Sequence, residues 1–349
     1  MIISFDTRTL FLSRVNNYRN EDVPFSNLGK KFFSSKSGPQ NFVSDLIHTI
    51  EKNNLAETTF NFINSDIHLL NSGFYSFFWR NFKLKEVDKV ILRLDGIGID
   101  TENDLDNKIN KNKMVDLLDK GSNVIYQSKF CKNCFNDIFG SLTREKIIYN
   151  GAINMPIISP ESKQLVQSIK LRFKNKYFSV AGRYTNRKRI KEIIKEFNEN
   201  DMGNLVVLSN VPSKDKIKNE RIIYLNLLNP LIARNIISNS IALIHFDRYD
   251  WCPNIVISAI QDGIPVICSN FGGTPEIVGK SGLIIKEFPE NLPHSIFGIN
   301  TAKNANFPSK LFIQNIIEVW NNGIEIEKTN FYKINKIANE YVDFAREII

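Results

Sequence analysis

The stretch Asp250-Trp-Cys-Pro-Asn-Ile-Val-Ile-Ser-Ala-Ile-Gln-Asp-Gly-Ile-Pro-Val-Ile-Cys-Ser-Asn-Phe-Gly-Gly-Thr-Pro-Glu-Ile-Val278 decides the fold. It reads as loop, helix, strand, loop, helix. Pro253 and Asn254 open a short apolar segment with Asn254 as N-cap, and Gly263 stops it before the β-rich run Ile264 to Cys268. The strand ends at Gly272-Gly273, where the backbone can turn tightly or approach a ligand. Thr274 and Pro275 then read as N-cap and first residue of a second helix. Two helix N-termini thus open near one strand end. In an α/β sheet, free N–H groups and helix dipoles hold an anion there, typically a nucleotide phosphate. A plain, well-capped strand-to-helix turn would use the same residues.

The whole stretch resembles the nucleotide-sugar half of family 4 glycosyltransferases, which have the GT-B fold. Their pattern runs acid, seven residues, Glu-Ala, a short helix, Gly-x-Pro-Val, then Gly-Gly-x-x-Glu. Here Asp250 stands at the first acid, and Ala259, Gly263, Pro265, Val266, Gly272, Gly273, Pro275 and Glu276 keep the spacing. Ser258, at the second acid, departs from it. The resemblance implies two Rossmann-like domains facing each other across a cleft: residues 1–154 on the acceptor side and 155–328 binding the nucleotide-sugar. A C-terminal helix within 329–349 would cross back to the first domain. It also implies that Asp250 binds donor-sugar hydroxyls and Ser258 the nucleotide ribose, with Gly272, Gly273, Thr274 and Glu276 around the donor.

A second motif lies upstream. Strand Tyr177 to Ala181 hands over at Gly182 to Arg183, and Asn186-Arg187-Lys188-Arg189 precedes a helix with apolar Ile190, Ile193, Ile194 and Phe197. Arg183 and Lys188 can converge on one diphosphate, the guanidinium as a bidentate fork and the ammonium as a point charge. A solvated basic turn would look the same. The segment nevertheless resembles the family's Gly-Arg, then Lys, pattern that grips the donor diphosphate. In the first half, the Gly38 turn feeds a helix carrying Phe42, Val43, Leu46, Ile47 and Ile50, and the family's corresponding loop lies near the donor phosphates. Strand Lys89 to Leu94 runs into Asp95-Gly96, where the family often carries a His-Gly that touches the donor sugar. Asp95 cannot act as the neutral donor that His can be.

Composition frames these motifs. A chain of 349 residues suits two domains, and 42% hydrophobic residues supply sizeable cores. The formal charge of +8 favours acidic partners: nucleotide phosphates, anionic lipid headgroups or nucleic acid. No apolar run reaches the roughly 18 residues that span a bilayer, and Met1-Ile-Ile-Ser-Phe-Asp6 is too short for a signal peptide. A cytoplasmic protein is expected, with peripheral contact with anionic membrane as one option. Cys131 and Cys134 form a lone Cys-x-x-Cys that reads as two small residues on a helix. His48, His68, His245 and His294 are dispersed, so no metal site and no cofactor are expected. The expected function is therefore a retaining, metal-independent glycosyltransferase acting on a glycan or lipid-linked acceptor. The alternatives are a weak or inactive sugar-nucleotide binder, an epimerase on the same fold, and a nucleic-acid binder. The last leaves Arg183 and Gly272-Gly273 unexplained, so nucleic acid is not an expected partner.

Overall fold

In the computed structural model the chain divides into two compact units, residues 1–153 with 331–349, and residues 154–330. The structure describes residues 1–5, 38–59, 64–71, 87–94, 96, 123–142, 144–155, 158–226 and 228–349. Asp95, the aromatic segment 74–82 and the stretch 6–36 lie outside them.

The first unit is built on a parallel sheet in the order β2-β1-β3-β4-β5-β6. Its strands are β1 (Ile2–Phe5), β2 (Glu57–Thr59), β3 (Ile67–Asn71), β4 (Val90–Leu94), β5 (Asn123–Tyr126) and β6 (Glu145–Ile147). The central strands β4 and β5 are buried along their whole length, as a parallel sheet covered on both faces requires. Helix α1 (Gly38–Lys52) turns Phe42, Val43, Leu46, Ile47 and Ile50 into the core. Gly38 is its first residue. Helix α2 (Lys129–Phe139) is capped at both ends: the Ser128 hydroxyl accepts the Cys131 N–H at 3.0 Å, and Gly140 ends it at φ 76. Cys131 and Cys134 are buried on its inner face and are not joined in a disulfide.

The last helix, Ile334–Arg346, packs against α1. It adds Ile334, Ile337, Ala338, Tyr341, Val342, Phe344 and Ala345 to the core of residues 1–153. The buried Arg93 guanidinium donates to the Tyr341 hydroxyl at 2.9 Å and to Asn150 at 2.6 Å, and lies over the Phe42 ring.

The second unit repeats the parallel-sheet architecture. Its strands are β7 (Phe178–Ala181), β8 (Leu205–Leu208), β9 (Ile222–Leu225), β10 (Ala242–His245), β11 (Val266–Ser269) and β12 (Gly282–Ile285). They pair in parallel in the order β12-β11-β10-β7-β8-β9. This is the doubly wound Rossmann order, in which the chain builds outward from β7 on one side and then from β10 on the other. The connecting helices are α3 (Pro160–Arg172), α4 (Ile190–Glu199), α5 (Pro230–Ile237), α6 (Asn254–Gln261), α7 (Thr274–Val278), α8 (Ile296–Asn304) and α9 (Ser309–Asn322). Among the described residues, no helix is long and apolar enough to cross a membrane.

Three expectations for the stretch 250–278 shift by a residue or two. Asn254 is the first residue of α6 rather than its cap, because the first-turn N–H of Ile257 donates to the Pro253 carbonyl. Strand β11 begins at Val266 rather than Ile264. The Ile264 N–H turns back to close α6 on Ala259 at 2.8 Å, Gly263 adopts φ 78, and Pro265 has no N–H to pair. At α7, Gly273 is the cap and Thr274 already helical.

Candidate functional site

In a doubly wound sheet, ligands bind beyond the carboxyl ends of the strands, at the point where strand order reverses. In residues 154–330 that point lies between β7 and β10, and the two motifs singled out above follow these two strands. After β7, Gly182 leads to Arg183 and a single 3₁₀ turn, Asn186–Lys188. After β10 come Phe246, Asp247 and the loop to Asp250. The two connections are stitched together, the Arg248 N–H donating to the Arg187 carbonyl at 2.9 Å and Arg187 lying over the Tyr249 ring.

Lys188 stands at the centre. Its stem passes within about 3.6 Å of where a Cβ on Gly182 would lie, and its ammonium donates to Asp247 and, at 2.7 Å, to Asp250. Nε2 of the buried His245 lies 3.4 Å from Asp247 and 3.6 Å from Asp250, without a well-aligned hydrogen bond. Burial opposes the charge on Asp250, but Lys188, with His245 and Arg187 behind it, outweighs burial and holds the carboxyl well below the usual range. Burial likewise opposes the Lys188 charge, and Asp247 and Asp250 overcome it to raise the ammonium's pKa. His245, Asp247 and Asp250 each offer one ligand atom within 4.8 Å of the others, a donor set suited to a divalent ion. In this structure the cation facing both carboxylates is the Lys188 ammonium.

The remaining basic residues of the turn divide by role. Arg189 is fully buried in the left-handed region at φ 52. Its guanidinium forks onto Glu287 at 2.7 and 2.8 Å and lies against the touching rings of Phe246 and Phe307. A non-glycine residue held there costs of order 1 kcal/mol, which the ion pair and ring contacts offset. Arg189 is thus an anchor that fixes its neighbour Lys188. Arg183 is exposed, with no side-chain bond among the described residues.

The glycine pair has a definite task. A Cβ on Gly273 would fall 2.0 Å from the Trp251 carbonyl oxygen, and one on Gly272, at φ 90, 3.0 Å from the Asp250 nitrogen. The Gly273 N–H donates to the Asp250 carbonyl at 2.7 Å. The pair therefore lets the loop after β11 lie directly on the Asp250 loop, and one of the amides expected to be open to an anion is spent in doing so. Helix α7 is only five residues long, so its dipole is small. Glu276 is in its first turn, partly buried. Ser258 is partly buried on α6, and its hydroxyl makes no hydrogen bond among the described residues. Asp95 lies outside the described residues.

Of the buried polar residues at or beyond the carboxyl ends of these strands, Thr274 belongs to the motif read from the sequence and Ser209, His245 and Ser269 do not. Ser209 after β8, His245 at the end of β10, Ser269 at the end of β11 and Thr274 in α7 are all buried. Each carries a side-chain polar atom with no hydrogen-bond partner among the described residues. Such groups are uncommon in native structures and point to a ligand or solvent partner. His294 stacks on Phe271 and bonds to the backbone of Gly272; its burial outweighs that bond and lowers its pKa.

No protein-family model and no curated protein matches the chain. Solved structures do. A sucrose-phosphate synthase from Thermosynechococcus elongatus aligns over 94% of this chain and 80% of its own, with TM-score 0.54 and 12% identity. Anabaena HepE in complex with UDP and glucose aligns over 99% of both chains, with TM-score 0.56 and 14% identity. WaaG, a glycosyltransferase involved in lipopolysaccharide biosynthesis, aligns over 99% of both chains, with TM-score 0.51 and 11% identity. At these identities the likeness is one of fold: two Rossmann-like domains of the GT-B class.

Proposed function

We propose that the protein is a glycosyltransferase akin to family 4, moving a sugar from a nucleotide-sugar onto a glycan or lipid-linked acceptor with retention. The observation that carries this reading is the meeting of Lys188 and Asp250 at the switch point between β7 and β10, beside buried polar atoms that lack a partner among the described residues. In this reading Lys188 and Arg183 take the charge that develops on the leaving diphosphate, in place of a metal ion, and Asp250 accepts from hydroxyls of the donor sugar. The acceptor hydroxyl attacks the anomeric carbon on the face the diphosphate leaves, and a phosphate oxygen takes its proton. The protein's contribution is to position the reactants and stabilise the leaving group. The charge of +8 suits work in the cytoplasm at an anionic membrane surface, where lipid-linked acceptors are found.

A thermal-shift panel of nucleoside diphosphates and nucleotide-sugars tests the reading, because a ligand that binds only the native state raises its melting temperature. One base, and one sugar on it, should stand out. A flat panel would sink the proposal. A second reading, a sugar-nucleotide binder without turnover, is favoured by the engagement of Lys188 with two carboxylates. Release of free nucleoside diphosphate from the selected donor separates the two.

A further inference from the structure

Asp247 was not part of either motif, yet it is the carboxylate most deeply committed to Lys188. Its side chain is 5% exposed against 14% for Asp250, and both direct Oδ2 at the same ammonium. An ammonium has three N–H donors. Two are engaged, and the trio of Lys188, Asp247 and Asp250 carries a net negative charge. An arriving anion therefore meets a lysine whose charge is already more than balanced. Asp250 is the acid that the proposed function assigns to the donor sugar, and its second oxygen accepts from the Trp251 N–H at 2.7 Å. Asp247 has no such use: it is buried behind the lysine, beside His245, two residues past the end of β10.

We propose that Asp247 is an internal competitor for the ligand's phosphate, a positioning residue that holds the Lys188 ammonium in the unliganded protein and sets how tightly a diphosphate binds. The proposal rests on the reading of Lys188 as an anion-contacting group. Its consequence is a gain on mutation. Replacing Asp247 by the nearly isosteric asparagine removes one negative charge and leaves a neutral, weaker acceptor, so that a phosphate oxygen competes better for the N–H of Lys188.

The experiment compares wild type, Asp247→Asn and the smaller Asp247→Ser, each shown to be folded by its melting transition. Binding of inorganic pyrophosphate and of nucleoside diphosphates is measured by calorimetry. Pyrophosphate affinity is expected to rise on the order of tenfold in both variants, the scale of removing one like charge at a partly screened site. In parallel, acetylation of Lys188 by acetic anhydride, mapped by mass spectrometry, should be faster in both, since the amine loses a carboxylate that favours its protonated form. A merely structural role for Asp247 would move neither in that direction. Unchanged or weaker pyrophosphate binding in the folded variants, or no binding in any of the three proteins, overturns the inference. The nucleotide arms report separately on function: pyrophosphate binding that follows the expected order with no preference for any nucleoside would leave the competitor in place and refute the nucleotide-sugar reading.

Discussion

Arg183 and Lys188 stand on one turn, but their surroundings separate what each substitution reports. Arg183 is exposed and unbonded among the described residues, so Arg183→Ala should lower turnover of the selected donor by an amount equivalent to about 2–4 kcal/mol while leaving the melting temperature unchanged. Lys188→Ala would also strip the cation from two enclosed carboxylates, and a denaturant titration should show a loss of about 3–5 kcal/mol in stability as well. Asp250 gives a pH signature. Its folded pKa is depressed, so its contribution to stability is present above the unfolded value near 3.8 and is lost as pH falls through the folded value. Stability curves measured from pH 6 down to about pH 2 should therefore fall less steeply for a folded Asp250→Asn variant than for wild type. At Ser258 the expected test is gain: a glutamate there adds a charge-assisted hydrogen bond to the ribose, and calorimetry should show nucleoside diphosphate binding tighter by about 1 kcal/mol. Lys188 and Asp250 could be picked out from the sequence because each sits in a local motif. Asp247 and His245 could not, since their importance depends on a lysine 59 residues earlier in the chain returning to the same end of the sheet. The spacing His245-x-Asp247-x-x-Asp250 after an apolar strand was the one local hint.

Elements were legible where apolar runs were bounded by firm turn signals. Leu205–Leu208 and Ile222–Leu225 are wholly apolar runs, or nearly so, between polar turns, and both are strands. Glu57–Thr59 was hidden because it is a short, polar edge strand with no apolar alternation. Helix α3 turns only Ser162, Val166 and Ile169 inward, too sparse a face to stand out after Pro160. The function of the glycine pair is likewise a matter of contact between elements. Gly273→Ala cannot be accommodated without moving α7 off the Asp250 loop, because its Cβ would overlap a backbone oxygen. Chemical denaturation should show a loss of roughly 2–4 kcal/mol, with any diphosphate binding lost in step.

The first unit takes its last helix from the far end of the chain. Residues 334–346 bury seven apolar side chains in its core, and each of the larger aliphatic and phenyl ones is worth roughly 1.5–3 kcal/mol. Cutting the chain after Asn330 should therefore unfold residues 1–153 while residues 154–330 keep a cooperative transition of their own. Amide exchange would read this directly: loss of protection in β4 and β5, retention in β7 and β10. The same division of the chain has a consequence for its synthesis. Domains emerging from a ribosome usually fold in the order in which they are made. Here the order is reversed, because residues 154–330 are contiguous and complete while residues 1–153 must wait, with α1 and the face of their sheet uncovered, until the closing helix has been translated. The half of the molecule made first is thus the half finished last, and that interval is when a chaperone would find it.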